Sequence, residues 1–460
     1  MKSLKEVLKI INIQSNDDRE VLGITSDSRS VKEGYIYVIK DGLHHFGSEF
    51  IDDALKNGAI YVLRNIDTNL LEKLARFIYD LDFKDFFIIG ITGTNGKTTT
   101  TTLIHKTLRL NNINSLLIGT NGAYLNEQNI PLNNTTPDLL TLYDLFYQAK
   151  IKNINYVIME VSSHSLSLNR LGNILFDIAC FTNISHDHLD FHKTIDNYVL
   201  AKYSIVKYLK KDGIIIYNYD DPYISKLDFK PYTSISYGKC NANYLINDIC
   251  INESGSNFKI NNVTINSSLT CLFNVYNLTL AYLCLLFTKI AKKDLISFLE
   301  KVDNIDGRMQ KVIVNERYFY IDFAHSPDAI EKVLFFIKQF AKKRIIVVFG
   351  AGGDRDKTKR NKMLNVTLKY ADLVYVTSDN PRYEDPEIII KDVINNNTSK
   401  KIKYYLSRID AIKNAYLNSN KFDIIILLGK GNESYQIIKD IKIPYNEYNE
   451  VLKIKKECKI

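Results

Sequence analysis

Tryptophan is missing from this chain altogether, against thirty tyrosines. With many Asn, Ile and Lys beside it, that gap marks a compositional habit of the source and excludes no function. The six cysteines (Cys180, Cys240, Cys250, Cys271, Cys284 and Cys458) include no C-x-x-C pair and no metal-ligand spacing. This argues against a zinc centre or a disulfide framework and for reduced thiols. No apolar core long enough for a signal peptide follows Met1. The longest apolar run, near residues 278–287, is too short to span a bilayer and reads as a buried helix. A cytoplasmic protein is therefore expected, without membrane insertion. Charge is not concentrated either: the formal net charge is +8, but basic residues are interleaved with acidic ones. That predicts weak attraction for small anions and no nucleic-acid groove.

What is present suits a folded enzyme. At 460 residues the chain has room for about two to four domains, each with its own core. The most informative stretch is an apolar run at residues 86–91 that stops at Gly93-Thr94-Asn95-Gly96-Lys97-Thr98-Thr99. Leu103, Ile104, Thr107 and Leu108 then recur at helical spacing. Strand, glycine loop and helix N-terminus make a cradle of backbone N–H groups for phosphate oxygens. Lys97 would add a charge at the outer phosphates, and Thr98 a hydroxyl suited to Mg2+. The first glycine of the common G-x-x-x-x-G-K pattern is replaced by Ile91, so the working unit is Gly93-x-x-Gly96-Lys97-Thr98.

Three units are expected. Residues 1–85 carry Thr25-Ser26-Asp27-Ser28-Arg29, hydroxyls in a loop beside an arginine that could meet a diphosphate or a uracil edge. Residues 86–304 alternate strands and helices, which predicts a mostly parallel sheet with covered faces. Two of its strands run into Glu160-Val-Ser-Ser-His164 and Thr182-Asn-Ile-Ser-His-Asp-His-Leu-Asp190. Polar residues thus gather beyond the carboxyl ends of strands, where open α/β sheets bind ligands. Glu160 and Thr98 form a plausible oxygen pair for Mg2+; the histidine run invites a transition metal, but no zinc is assigned. Residues 241–268 read as a β-rich excursion of low functional content. In residues 305–460 three apolar strands each enter a polar loop, at residues 350–356, 378–382 and 429–433, which predicts a Rossmann-like doubly wound domain. Asp379-Asn380-Pro381-Arg382 suits a zwitterion, with Arg382 on a carboxylate and Asp379 near an ammonium; Arg355 could share the task.

With those residues in hand, the chain resembles the Mur ligase family over essentially its whole length. The resemblance rests on the phosphate loop, the two runs after Glu160 and Thr182, Phe273-Asn-Val-Tyr-Asn277, Gly307-Arg-Met309, Asp322-Phe-Ala-His-Ser-Pro327, Gly352-Gly-Asp-Arg-Asp356 and Gly429-Lys-Gly-Asn-Glu433, all in order. It implies an N-terminal domain for a UDP-sugar, a central P-loop-type ATPase and a C-terminal domain for the incoming amino acid; a monomer is expected. ATP would phosphorylate the free D-glutamyl carboxylate of UDP-N-acetylmuramoyl-L-alanyl-D-glutamate, and an amine would attack the acyl phosphate. The resemblance further implies peptidoglycan precursor synthesis, and with it cell shape and division. Asp379 to Arg382 goes in the family with meso-2,6-diaminopimelate; lysine- or ornithine-adding relatives are the alternative.

By the same resemblance, Lys202 corresponds to a carbamylated lysine, and Glu160 and His188 to the other metal positions. Ser26, Ser28, Leu43, His44 and His45 match UDP contacts, while Asn134, Thr135, Thr136, Ser162 and Arg170 surround the nucleotide-peptide. Asn274, Arg308, Asp322 and His325 join the phosphate loop in holding ATP. Arg355, Asp379, Asn380, Pro381, Arg382, Gly429 and Glu433 match the diaminopimelate pocket. Phe46, Leu168, Gln310 and Asn432 depart from the family's usual aspartate, glutamine, glutamate and histidine. A folylpolyglutamate-type ligase and a catalytically silent nucleotide-binding scaffold are the competing readings.

Overall fold

Apolar runs that end at glycine or hydroxyl-rich loops become the strands of two large sheets in a computed structural model, which describes residues 2–41, 46–64 and 66–457. The central sheet has eleven strands. Its parallel middle orders Leu209–Asn218, Phe176–Phe181, Phe87–Thr92, Tyr156–Glu160 and Ser115–Gly119 side by side. Register aligns Glu160 with Ile91 and Phe181 with Thr92. Three strand ends, and the loops that follow them, therefore open on one edge.

Both faces of this sheet are covered, as the unbroken apolar strands demand. Lys97–Leu110 and the almost wholly buried Leu272–Leu285 pack on one side, around Ile89, Ile91, Leu103 and Leu278. Leu139–Ile151 packs on the other, where Phe146 and Tyr143 meet Phe83 edge-on. That second core runs on into the N-terminal unit, a small parallel sheet of Gly23–Thr25, Tyr35–Val38 and Ala59–Leu63 with the helix Thr68–Tyr79. Tyr79 stacks on Tyr147 at 4.9 Å.

Residues 241–268 are more than an excursion. Tyr244–Asn252 pairs with Thr233–Gly238, and two antiparallel strands follow, so the segment extends the central sheet. An antiparallel meander from Ser115–Gly119 through Gln128–Ile130 closes the other edge.

The C-terminal sheet orders Gln310–Val314, Arg317–Asp322, Ile424–Leu428, Ile345–Ala351, Leu373–Ser378 and Ile402–Tyr405, all parallel except the first pair. Separate apolar clusters line its two faces, one with Ile330, Leu364 and Ile389, the other with Ala411 and Val451. The doubly wound expectation holds. Beyond the last parallel strand, a hairpin of Tyr435–Ile438 and Ile441–Pro444 was not foreseen. Among the described residues no helix is long and apolar enough to cross a membrane.

Candidate active site

The loop between Phe87–Thr92 and Lys97–Leu110 is pinned from one side by the loop that follows Phe181. Thr94 N–H donates to Asn183 O (2.7 Å), Asn95 N–H to Asn183 Oδ1 (3.1 Å), and Thr182 Oγ1 to Asn95 O (2.6 Å). Gly93 and Gly96 hold left-handed φ angles of 144° and 87°, and a Cβ on Gly93 would lie 1.8 Å from Thr182 Oγ1. Only glycine fits that approach. The helix starts at Gly96 without a side-chain cap, so its first N–H groups stay open to an anion.

Two lysines converge on this loop. Lys97 Nζ donates to Gly93 O and Thr94 O, both at 2.8 Å, and Lys202 Nζ donates to Gly93 O at 2.8 Å. Lys202 is 1 % exposed. Burial, and then the charge of Lys97, depress its pKa far below the ordinary lysine value; burial likewise lowers Lys97. Among the described residues neither amine makes an ion pair. Tyr198 supports the pair from below: its ring lies 4.5 Å from Lys202 Nζ and its hydroxyl 3.2 Å from Thr94 Oγ1.

Glu160 is 1 % exposed at the end of its strand. Thr120 holds it, through N–H to Oε1 (2.8 Å) and Oγ1 to Oε2 (3.1 Å). Next to it, Thr136 Oγ1 donates to Glu160 O (2.9 Å), accepts from Ser162 N–H (3.0 Å), and its carbonyl accepts from Arg170 (3.2 Å). Thr135 Oγ1 lies 3.0 Å from Thr120 Oγ1. Ser162 caps the following helix. Of the residues assigned to the nucleotide-peptide, these form one network; Asn134 borders it in the same loop. His188 sits at φ 53° among His164, His192 and Tyr198. Burial pushes its pKa down to about 4 against the pull of Asp187, which leaves a neutral imidazole. Burial would raise Asp187, but His188, His325 and Lys359 outweigh it and hold that carboxyl below its ordinary value.

The donor set suits a hard cation better than a transition metal. Among the described residues no group of three His, Cys, Asp or Glu is placed to hold a metal. Mg2+ needs few protein ligands and takes phosphate and water oxygens for the rest. The Glu160 carboxylate and the Thr98 hydroxyl fit that pattern, and a neutral His188 would add a single nitrogen.

From the C-terminal side, Arg308 Nη2 donates to Thr98 Oγ1 at 3.2 Å, with its guanidinium 4.5 Å from the centre of the Phe323 ring. Asp322 accepts from the N–H groups of Met309 and Ala324, both at 2.8 Å, and burial raises its pKa. His325 Nδ1 lies 2.8 Å from Phe323 O. Asn274 donates to Thr270 O (2.7 Å), and Asn277, against which Gly96 packs, donates to Asn274 Oδ1 (3.2 Å).

The Asp379–Arg382 turn follows the strand Leu373–Ser378. Arg382 takes a left-handed φ of 51°, and its Nη1 donates to Gly353 O at 2.8 Å. Burial lowers its pKa, and so does Arg355, whose charge is felt there. Asn380 Nδ2 reaches Glu433 Oε2 at 3.0 Å, and a Cβ on Gly429 would lie 2.8 Å from Asp379 Oδ2. The seven residues expected here thus share one loop cluster. A cavity of about 560 Å3 opens beside it, between the turn, the first turn of Arg408–Leu417 and the hairpin. It does not reach the phosphate loop.

Ser26 and Ser28 stand apart in the N-terminal unit, where Asp27 pairs with the exposed Arg29. Leu43, His44 and His45 lie outside the described residues. Sequence reasoning passed over Thr120, and it gave no role to Tyr198, on the same helix as Lys202, or to Lys430, inside the Gly429–Glu433 motif. A threonine directly after the apolar run at residues 115–119, and a lysine between two glycines, were the available signals.

Residues 91–285 match the Mur ligase middle domain, and residues 307–431 the glutamate ligase domain of Mur ligases. The chain is 36% identical to the UDP-N-acetylmuramoyl-L-alanyl-D-glutamate--2,6-diaminopimelate ligase of Oceanobacillus iheyensis, covering 97% of both chains. A solved structure with that same ligase name superposes at a TM-score of 0.64, with 28% identity and full coverage of both chains. A MurF ligase from Thermotoga maritima, solved in complex with ADP, shares the fold at a TM-score of 0.67 and 20% identity, with 95% of this chain and 97% of that one covered.

Proposed function

The chain belongs to the Mur ligase family, and from that premise we propose that it is the ATP-dependent ligase that adds meso-2,6-diaminopimelate to UDP-N-acetylmuramoyl-L-alanyl-D-glutamate in peptidoglycan precursor synthesis. The single observation that carries this reading is the meeting of two half-sites. An open phosphate cradle with two lysines on Gly93 O is tied to the C-terminal unit by the Arg308–Thr98 hydrogen bond, and the charge of Glu433, in the loop cluster of the Asp-Asn-Pro-Arg turn, is felt at that same arginine.

Residues 1–85 would hold the UDP end, with Ser26, Ser28 and the Leu43–His45 segment as contacts; residues 86–304 would hold ATP, and residues 305–460 the amino acid. In the first step the D-glutamyl carboxylate oxygen bonds to the γ-phosphorus of ATP, and the bond to the β–γ bridging oxygen breaks, leaving ADP. Lys97 leaves the carbonyls of Gly93 and Thr94 for the phosphate oxygens, and the amides of Gly96 to Thr99 stay fixed beneath them. Arg308 adds a second cation over the same group, and Asn274, Asp322 and His325 frame the nucleotide. Charge stabilisation of this kind is most of what phosphoryl transfer asks of a protein. Thr98, Glu160, His188 and Lys202, the last as a carbamate, would hold Mg2+, which would supply positive charge against the phosphate oxygens.

Lys202 serves that end only as an anion. A neutral amine can add to carbon dioxide, forming an N–C bond and releasing a proton, and the resulting carbamate offers oxygen where an ammonium could not. The strongly depressed pKa of Lys202, and its lack of an ionic partner among the described residues, support this.

In the second step the amine attacks the acyl carbon, phosphate leaves, and the amide forms. Arg382 and Arg355 would hold the distal carboxylate, Asp379 and Glu433 an ammonium, so that the attacking nitrogen is oriented before reaction. Thr135, Thr136, Ser162 and Arg170 would keep the acyl group beside Glu160. A cytoplasmic site of action belongs to the same reading.

The test is ATP-dependent phosphate release with UDP-N-acetylmuramoyl-L-alanyl-D-glutamate and meso-diaminopimelate, L-lysine or L-ornithine side by side. Release with meso-diaminopimelate alone is expected. Release with lysine or ornithine instead would keep the ligase and overturn the role given to Arg382; no release at all would favour a silent nucleotide-binding scaffold.

A further inference from the structure

Lys430 lies at the centre of the proposed amino-acid pocket, yet it would touch no substrate. Its side chain is 0 % exposed. Nζ donates to Asn380 Oδ1 (2.8 Å), to Tyr435 O (2.7 Å) and to Glu433 Oε2. Three donors meet three acceptors, so the ammonium is fully used where it sits.

The consequence falls on the two residues it holds. Asn380 Oδ1 also accepts from Ile437 N–H at 2.9 Å, so two donors fix the oxygen of that amide and turn Nδ2 onto Glu433 Oε2. Glu433 thereby receives both donors on one oxygen. Among the described residues none reaches Oε1, and the carboxylate is partly exposed. Asn432, the neighbour on the chain, makes no side-chain hydrogen bond among the described residues that could orient Glu433 in its place. The backbone of the turn is tied into the same unit, since Arg382 N–H donates to Ile437 O (3.1 Å) and Gln436 Nε2 to Asp379 O (2.5 Å).

We propose that Lys430 is a positioning residue for amino-acid selection: it locks Asn380 and Glu433 into one rigid unit and leaves Glu433 Oε1 as the free acceptor for the ammonium of the incoming diamino acid. This rests on reading the Asp379–Arg382 turn as the amino-acid site. A charge-assisted network of this kind is lost in steps, because removing the hub leaves a buried amide and a carboxylate without their partner.

The experiment measures kcat and the three KM values by phosphate release in wild type and K430M, with ADP binding and thermal melting alongside. K430M should raise KM for meso-diaminopimelate by about 10- to 100-fold, the usual cost of a lost charged hydrogen bond, and leave KM for ATP and for the UDP-dipeptide within about twofold. An unchanged KM for the diamino acid, or three KM values that move together, would overturn the proposal. Should K430M not melt cooperatively, K430Q, which keeps amide donors at that depth, takes its place with the same expected split. A K430Q that also fails to fold assigns Lys430 to the core and overturns the proposal too. A wild-type protein inactive with every diamino acid would instead sink the reading of the pocket itself.

Discussion

The phosphate loop and the Asp379–Arg382 turn both close the carboxyl end of a parallel sheet, and both bury lysines, but on opposite electrostatic plans. At the phosphate loop, Lys97 and Lys202 donate to the carbonyls of Gly93 and Thr94, with no carboxylate paired to them among the described residues. At the turn, Lys430 meets Glu433 and Asn380, and nearby Arg408 meets Glu447 at 2.6 Å with both side chains almost fully buried. A site left short of negative charge awaits a highly anionic ligand. A site whose buried lysine is already paired with a carboxylate selects by shape and by the groups it presents.

The comparison breaks most visibly if the uncompensated lysine is removed. K202M replaces a buried amine, without an ionic partner among the described residues, by an apolar side chain, so the melting temperature should hold or rise. Phosphate release should nevertheless fall by on the order of a thousandfold, the scale of a lost electrostatic contributor. A large stability loss without loss of turnover would show that Lys202 is structural. On the compensated side the opposite holds. R408M strands the buried Glu447 carboxylate and should cost about 3–5 kcal/mol of unfolding free energy by denaturant titration; a cost under about 1 kcal/mol would mean that water reaches the pair.

A third substitution sharpens the contrast between charge and shape. R382A leaves the phosphate loop untouched, so ADP binding should be unchanged, while KM for meso-diaminopimelate rises by about a hundredfold, as expected for a lost bidentate arginine–carboxylate contact. Competitive inhibition by L-lysine, which lacks the second carboxylate, should show almost no change. Equal losses for both amino acids would place Arg382 outside the distal carboxylate's reach.

The two plans differ also in how far the sequence disclosed them. Glycines and apolar runs signal backbone geometry locally, so the phosphate loop, its strand and its helix could be read directly, and the family resemblance supplied the rest of the assignment. The doubly wound C-terminal sheet was legible from three repeated strand-to-loop transitions. Partners brought together by folding were not. Thr120 lies forty residues before the carboxylate it holds, and Lys430 fifty residues beyond the amide it orients. The Tyr435–Pro444 hairpin was missed because its four-residue strands are short and partly exposed, with no long apolar run to mark them. The eleven-strand continuity of the central sheet was likewise hidden, since polar alternation in residues 241–268 gives strands without saying what they pair with.

The smallest effect tests whether the central sheet avoids buried charge in general. His105, on the face of Lys97–Leu110 turned to the sheet, has Nδ1 2.8 Å from Ser115 Oγ and Nε2 3.2 Å from Asn126 O. A carbonyl can only accept, so Nε2 carries the proton and Nδ1 accepts from the serine: a neutral ring with both nitrogens used. Burial lowers its pKa from 6.5 to about 4. Between those values the unfolded chain takes up a proton that the folded protein refuses, so stability falls as pH drops from 6.5 toward 4 and is insensitive to this group above 6.5. Going from pH 7 to pH 5 should remove about 2 kcal/mol through His105 alone. H105Q can donate to Asn126 O and accept from Ser115 without titrating, so its unfolding free energy should decline less over that interval by that amount. Parallel declines in the two proteins would mean that the imidazole is protonated in place, and that the central sheet does accept a buried cation away from the phosphate loop.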